Sequence, residues 1–328
     1  MSFASASATP EQKEGFNSEI LLDVKDLRVS FHTDEGIVAA VNGINFTAKR
    51  GRTLGIVGES GSGKTVACNA VMQLLPKTAR VQGSILLHGE HGNIKDIARL
   101  KRNGREMRTI RGSEIAMVFQ EPMSSFSPVH TIGNQIMEAV LYHRNVSKQE
   151  AREISIDMLD RVGISRPDQR FRQYAFELSG GMRQRAMIAA ALSSNPSLFI
   201  ADEPTTALDV TIQAQVLELM SHLQSEYRMA IIFITHDLGV ISQIADDIVV
   251  MYLGQIMERG TARDVINNPQ HPYTRKLLEA IPRLDHLGTK LATVGGDIPG
   301  PLELPKGCPF HTRCQQMIAA GVIQKSRP

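Results

Sequence analysis

Residues 58 to 65 read GESGSGKT, which has the G-x-x-x-x-G-K-[ST] spacing of a phosphate-binding loop. Gly58, Gly61 and Gly63 let the backbone wrap closely, so that successive N–H groups through Glu59, Ser60 and Ser62, and the helix start behind them, face an anion. Lys64 would reach the β- and γ-phosphates of a nucleotide, and the Thr65 hydroxyl would ligate Mg²⁺. An apolar run precedes the loop and a helix-compatible segment follows it, the setting that separates a working loop from a chance glycine turn.

A second apolar run, SLFIADE, delivers Asp202 to a strand end, where it can hold Mg²⁺ directly or through water. Glu203 follows at once. Adjacent strand residues point opposite ways, so the second carboxylate is expected to face the γ-phosphate and polarise an attacking water. At the end of a third run, FITHD, His236 can bond the γ-phosphate and orient that water. Gln120, in AMVFQEP, closes one more apolar run and is expected to sense Mg²⁺ or water. Taken singly, an Asp-Glu pair, a histidine or a glutamine is usually structural; beside a phosphate loop they form a catalytic set.

A different glycine turn lies more than a hundred residues on. In LSGGMRQR, Ser179 leads Gly180 and Gly181 into a helix, which makes a second phosphate-binding helix start. One chain already holds one nucleotide with its own loop. The spare turn is best used on the nucleotide of a neighbouring chain, in a head-to-tail sandwich.

The elements that must position these groups are legible as patterns. LGIVGES, SLFIADE and AIIFITHD read as buried parallel strands with polar C-terminal ends. In VSKQEAREISIDMLDRVGI, Ser147 and Glu150 have capping-box spacing, and Ile154, Met158 and Val162 recur every four residues. Ile132, Ile136 and Val140 make a similar stripe, so residues 121 to about 178 read as a helical insertion. The stretch before the loop alternates apolar and polar residues with turn signals, which predicts an antiparallel β layer. Beyond residue 268, Pro and Gly thicken into a loop-rich extension. The fold class is therefore α/β: a phosphate-loop core with a parallel sheet, an antiparallel β subdomain, an inserted helical subdomain and a C-terminal extension. Its divisions are a disordered tail at 1–18, a main domain at 19–267 and the extension at 268–328.

Composition sets the outer limits. The chain has 328 residues, 42% of them hydrophobic, enough for a substantial core. With 36 Lys and Arg against 34 Asp and Glu, no bulk charge points to nucleic acid or an anionic membrane. The basic stretch 95–111 lacks aromatic residues that would stack on bases and reads as a solvated face. Three cysteines, Cys68, Cys308 and Cys314, do not make a disulfide framework and suit a reducing compartment. No apolar run approaches the roughly 18 to 20 residues of a membrane span.

Taken together, the phosphate loop, Gln120, LSGGMRQR, ADEP, TTALD and ITHD, in that order, resemble the ATP-binding-cassette ATPases over residues 20 to 265. The resemblance implies ATP and Mg²⁺ as cofactors, Asp209 in a loop that crosses a dimer interface, and Phe31 as the aromatic that stacks on adenine. NNPQHPYTRKLLEAIPRL followed by GGDIPGPLELPKGCPFHTRC resembles the C-terminal extension of the ATPase subunits of oligopeptide and dipeptide permeases, closest to their D-type subunit. That implies a peripheral protein on the cytoplasmic face of the inner membrane, with a second ATPase (an F-type subunit or another copy), two membrane permease subunits and an extracellular solute-binding protein, and no nucleic acid. Residues 121 to 145 would receive the coupling helices of the permease subunits. Relatives with this tail also import nickel, glutathione, opines and some oligosaccharides. A soluble cassette ATPase of DNA repair or translation is the rival reading, disfavoured because the chain has one cassette and neither coiled-coil nor zinc inserts. No iron–sulfur cluster is expected: Cys308 and Cys314 match two cysteines of a four-cysteine pattern, but Gly321 stands at the third position. His311 beside the two cysteines would give at most a weak metal site.

Overall fold

The computed structural model describes residues 19–89, 92–119, 125–206, 208–281, 297–300, 302 and 304–319. The tail at 1–18 and Gln120 lie outside these described residues. The strands in chain order are β1 (Ile20–Thr33), β2 (Gly36–Lys49), β3 (Thr53–Val57), β4 (Ala79–His88), β5 (Ile94–Asp96), β6 (Ile115–Val118), β7 (Leu198–Asp202), β8 (Ala230–Thr235), β9 (Asp247–Tyr252) and β10 (Gln255–Thr261). One sheet is antiparallel, in the order β2-β1-β4-β5; the other runs β10-β9-β3-β8-β7-β6. In the second sheet β6, β7, β8, β3 and β9 are parallel, and β10 pairs antiparallel at the edge.

The pleat of the parallel strands divides the apolar side chains between two cores. Leu198, Ile200, Ala230, Ile232 and Ile234 join the cluster shared with the antiparallel sheet, where they meet Leu22, Val24, Val29 and Ile85. Phe199, Ala201, Ile231 and Phe233 point the other way, into a cluster built by the helices. With both faces covered, these strands carry no polar alternation, which is why they read as continuous apolar runs. Each fully buried large side chain contributes on the order of 1.5–3 kcal/mol by leaving water.

The helical insertion follows its caps. Ser147 starts the helix Lys148–Arg161 with a reciprocal capping box: its Oγ accepts from Glu150 N at 3.2 Å, and Ser147 N donates to Glu150 Oε2 at 2.7 Å. Ala151, Ser155, Met158 and Leu159 form its buried face, while Ile154 is only half-buried at the margin of the expected stripe. In the helix Ile132–His143 the stripe Ile132, Ile136 and Val140 is buried as expected.

Two regions depart from the sequence reading. The β9–β10 hairpin is absent from it, and so is the pairing of β4 and β5 into the antiparallel sheet. The extension after residue 268 is more ordered than a loop: it forms the helix Pro272–Glu279, and Tyr273, Phe310, Arg313 and Cys314 are buried against the main domain. The tyrosines and Phe310 explain this, because Tyr252, Tyr273 and Phe310 pack ring against ring with centroids 4.8 to 5.5 Å apart.

Candidate nucleotide-binding site

The phosphate loop joins β3 to the helix Lys64–Val71, so the helix N-terminus and the C-terminal ends of β3, β7 and β8 meet at one edge of the parallel sheet. The loop is pressed from behind. A Cβ at Gly58, whose φ is +154°, would lie 2.1 Å from the carbonyl oxygen of Met251 on β9, so no side chain fits there. Gly254, at the tip of the β9–β10 hairpin, donates its N–H to Ser62 O at 3.0 Å and accepts from Asn42 N at 2.8 Å, tying the loop to the antiparallel layer.

Lys64 is buried, and its Nζ donates to the carbonyl oxygens of Gly58 at 2.7 Å and Glu59 at 2.9 Å. Burial pushes its ammonium pKa down, an effect countered by the negative charges of Glu203, Asp202 and Glu59. Thr65 is exposed and donates its hydroxyl to Asp202 Oδ1 at 3.1 Å. Asp202 is buried at the end of β7, and that burial pushes its carboxyl pKa up. A buried carboxylate beside a hydroxyl is a set of hard oxygen donors, which suits Mg²⁺.

Glu203 is where the strand-alternation argument fails. β7 ends at Asp202, and Glu203 has φ +47°, so a left-handed turn aims its side chain. Its N–H is held by the carbonyl of Ile234 on β8 at 3.0 Å. Such strained backbone clusters at functional sites, where the surroundings over-determine it. The carboxylate is 12% exposed; Oε2 accepts from the Thr206 hydroxyl at 2.9 Å, and Oε1 lies 3.3 Å from Nδ1 of His236, which is 57% exposed. With Glu203 ionised, the contact requires a proton on Nδ1 of His236.

The glycine turn of LSGGM opens a different helix. Ser179 caps the helix Gly180–Leu192, accepting from Met182 N at 3.3 Å. Ser179 and Gly180 are exposed, and a Cβ added to Gly180 would meet no atom within 4 Å. A Cβ at Gly181 would lie 3.0 Å from Ile212, in the first turn of the helix Val210–Tyr227 that Asp209 caps through Ile212 N at 2.9 Å. The turn and Asp209 are therefore neighbours, and Val210 beside them is 82% exposed. Phe31 is half-buried on β1, paired with Val38 and Ala79 and packed on the antiparallel core.

Two groups missed by the sequence reading reach the loop from the C-terminal region. Tyr273 Oη accepts from Glu59 N at 2.9 Å, and the Arg313 guanidinium grips both Glu59 carboxylate oxygens at 2.7 and 3.0 Å. Arg313 also donates to Tyr252 Oη at 3.3 Å and lies over that ring. Cys314 next door is buried, Cys308 is exposed, and Cys68 is fully buried behind the phosphate loop. Among the described residues no helix is long and apolar enough to cross a membrane.

The ABC transporter family model matches residues 41–206, and the model for the oligopeptide/dipeptide transporter C-terminal region matches residues 257–320. The latter begins within β10, ahead of residue 268. The chain is 50% identical to the oligopeptide transport ATP-binding protein OppD of Salmonella typhimurium, over 90% of this chain and 87% of that protein. It is 49% identical to the dipeptide transport ATP-binding protein DppD of Bacillus subtilis, over 90% and 87% respectively. Among solved structures, a dimeric bacterial ABC transporter cassette superposes with a TM-score of 0.65 at 25% identity, covering 74% of this chain and 99% of that one. The cassette cbiO1 of Clostridium perfringens, part of an ABC transporter complex, gives 0.63 at 25% identity, covering 76% and 92%. With the phosphate loop, the carboxylates and the extension accounted for by two models and by relatives matching nine-tenths of its length, the chain belongs to the ABC transporter family, as an ATP-hydrolysing subunit of the oligopeptide/dipeptide type.

Proposed function

We propose that the chain energises uptake of oligopeptides or dipeptides from the cytoplasmic face of the inner membrane, as one of two ATPases bound to two permease subunits and served by an extracellular solute-binding protein. The observation that carries the reading is the coincidence of a complete phosphate site with a peptide-permease C-terminal region folded against its loop.

In this reading the N–H groups of residues 58 to 63 and the Lys64 ammonium would bind the β- and γ-phosphates, while Thr65 and Asp202 would hold Mg²⁺, with Gln120 as a further ligand. The metal, when bound, neutralises phosphate charge. Glu203 takes a proton from the water whose oxygen bonds to the γ-phosphorus as the bond from that phosphorus to the β,γ-bridging oxygen breaks, giving ADP and inorganic phosphate. His236 holds the carboxylate in place through Nδ1 and, when its Nε2 is also protonated, donates to a γ-phosphate oxygen. Phe31 would stack on adenine. Ser179, Gly180, Gly181 and Asp209 act on the nucleotide of the partner ATPase, closing the sandwich that gives each hydrolysis event its mechanical stroke.

Reconstitution tests the solute. The chain, co-assembled in proteoliposomes with its partner ATPase, permease subunits and binding protein, is expected to drive ATP-dependent uptake of radiolabelled di- to pentapeptides. Uptake of nickel or glutathione with none of peptide would overturn the assignment.

A further inference from the structure

Glu59 is an acidic residue inside a loop built to bind a polyanion. Its carbonyl oxygen accepts from Lys64 Nζ at 2.9 Å, and its negative charge is felt at that ammonium. Left alone, the carboxylate would compete with phosphate for Lys64 and repel it. The charge is instead met by Arg313, 254 positions along the chain, through two parallel bonds of 2.7 and 3.0 Å. The Arg313 side chain is 3% exposed and that of Glu59 is 22% exposed, so solvent screens the pair only weakly. A third contact fixes the same residue. Tyr273 Oη takes the Glu59 N–H at 2.9 Å, and burial pushes that phenol pKa up, keeping it protonated. The aromatic packing of Tyr252, Tyr273 and Phe310 holds the strap in place.

We infer that Arg313 is a positioning residue for ATP binding: by neutralising and orienting Glu59 it keeps the phosphate loop receptive to the nucleotide, so that the C-terminal region sets the affinity of a site to which it contributes no ligand. The inference rests on residues 58–65 being the nucleotide site. It also gives the extension a role in the ATPase cycle. Any event that lifts Arg313 from Glu59 unmasks a negative charge at the loop and favours nucleotide release.

The test is equilibrium titration of the full-length chain with methylanthraniloyl-ATP and Mg²⁺, with thermal unfolding measured in parallel. Arg313→Gln keeps a polar side chain and removes the charge; it should weaken binding about five- to tenfold, with the gap narrowing as NaCl is raised. Arg313→Lys keeps the charge without the fork and should bind within about twofold of the parent. Adding Glu59→Gln to Arg313→Gln removes the unmasked charge and should bring affinity back to within about twofold. A structural anchor predicts otherwise: Arg313→Gln would lower the unfolding midpoint and leave the affinity of the folded protein unchanged. That result would overturn the inference, as would a double variant no tighter than Arg313→Gln or a lysine variant no better than the glutamine. If Arg313→Gln does not fold, the lysine and double variants carry the comparison, since one keeps a charge pair and the other buries none. Lys64→Ala is the control: parental affinity there would sink the site itself, whereas a failure confined to position 313 sinks only the inference.

Discussion

The two glycine turns of this chain are opposites in their surroundings. The phosphate loop is enclosed by its own polypeptide, with β9 behind Gly58, the hairpin tip under Ser62 and Arg313 on Glu59. At the LSGGM turn Ser179 caps the helix, the Leu178 carbonyl accepts from Arg183 Nε at 2.9 Å and Gly181 faces Ile212, while Ser179 and Gly180 are exposed. The contrast bears on where the proposed partner ATPase would dock. In the proposed reading, the exposed helix start beside the exposed Val210 is the half-site that a partner ATPase completes.

The largest expected effect lies on the enclosed side. Glu203→Gln should retain ATP binding and cut turnover of the assembled transporter by ~10² to 10⁴-fold, the range for removing a positioned general base. Turnover near the parental rate would take Glu203 out of the reaction. Next comes the open turn, where Ser179→Arg should abolish ATP-driven association with the partner ATPase, followed by light scattering. Nucleotide affinity of the lone chain should stay within about twofold, because a residue acting in trans leaves the chain's own loop untouched. Collapse of that affinity would place the turn in its own site and erase the contrast. The smallest effect on the chain itself is expected at the surface of the helical insertion. Val129 is 74% exposed, so Val129→Glu should change stability by no more than about 0.5 kcal/mol and leave ATPase activity in place. Transport should nonetheless fall severalfold if this surface receives the permease subunits; a parallel loss of ATPase activity would mean misfolding.

What the sequence discloses tracks how local the determinants are. Parallel strands buried on both faces read as near-continuous apolar runs with polar residues only at their ends, and the Ser147–Glu150 box needs four consecutive positions, so both are readable directly. The β9–β10 hairpin is harder. Its apolar run DIVVMY is a strand signal, but the turn uses Leu253 at φ +44°, a residue type that rarely adopts that conformation. Glu203 misleads for a related reason: its identity suits a strand end, and only the backbone shows the left-handed turn. The bridge from Arg313 to Glu59 has no local signature at all, because a salt bridge across 254 positions is created by the fold.

The hairpin tip limits how this protein can be handled. Tight turns between strands are ordinarily the places where a tag, a fluorophore or a few extra residues can be spliced in at little cost. Here Leu253 and Gly254 are buried, and a single Cβ at Gly254 would lie 2.6 Å from the carbonyl oxygen of Ala40. An insertion there would lever the antiparallel layer away from residues 58 to 65. The β1–β2 turn at Asp34 and Glu35 is exposed and not pressed between the layers, so it tolerates a label better than the β9–β10 tip, and Phe31 three residues before Asp34 sets how far it can be lengthened.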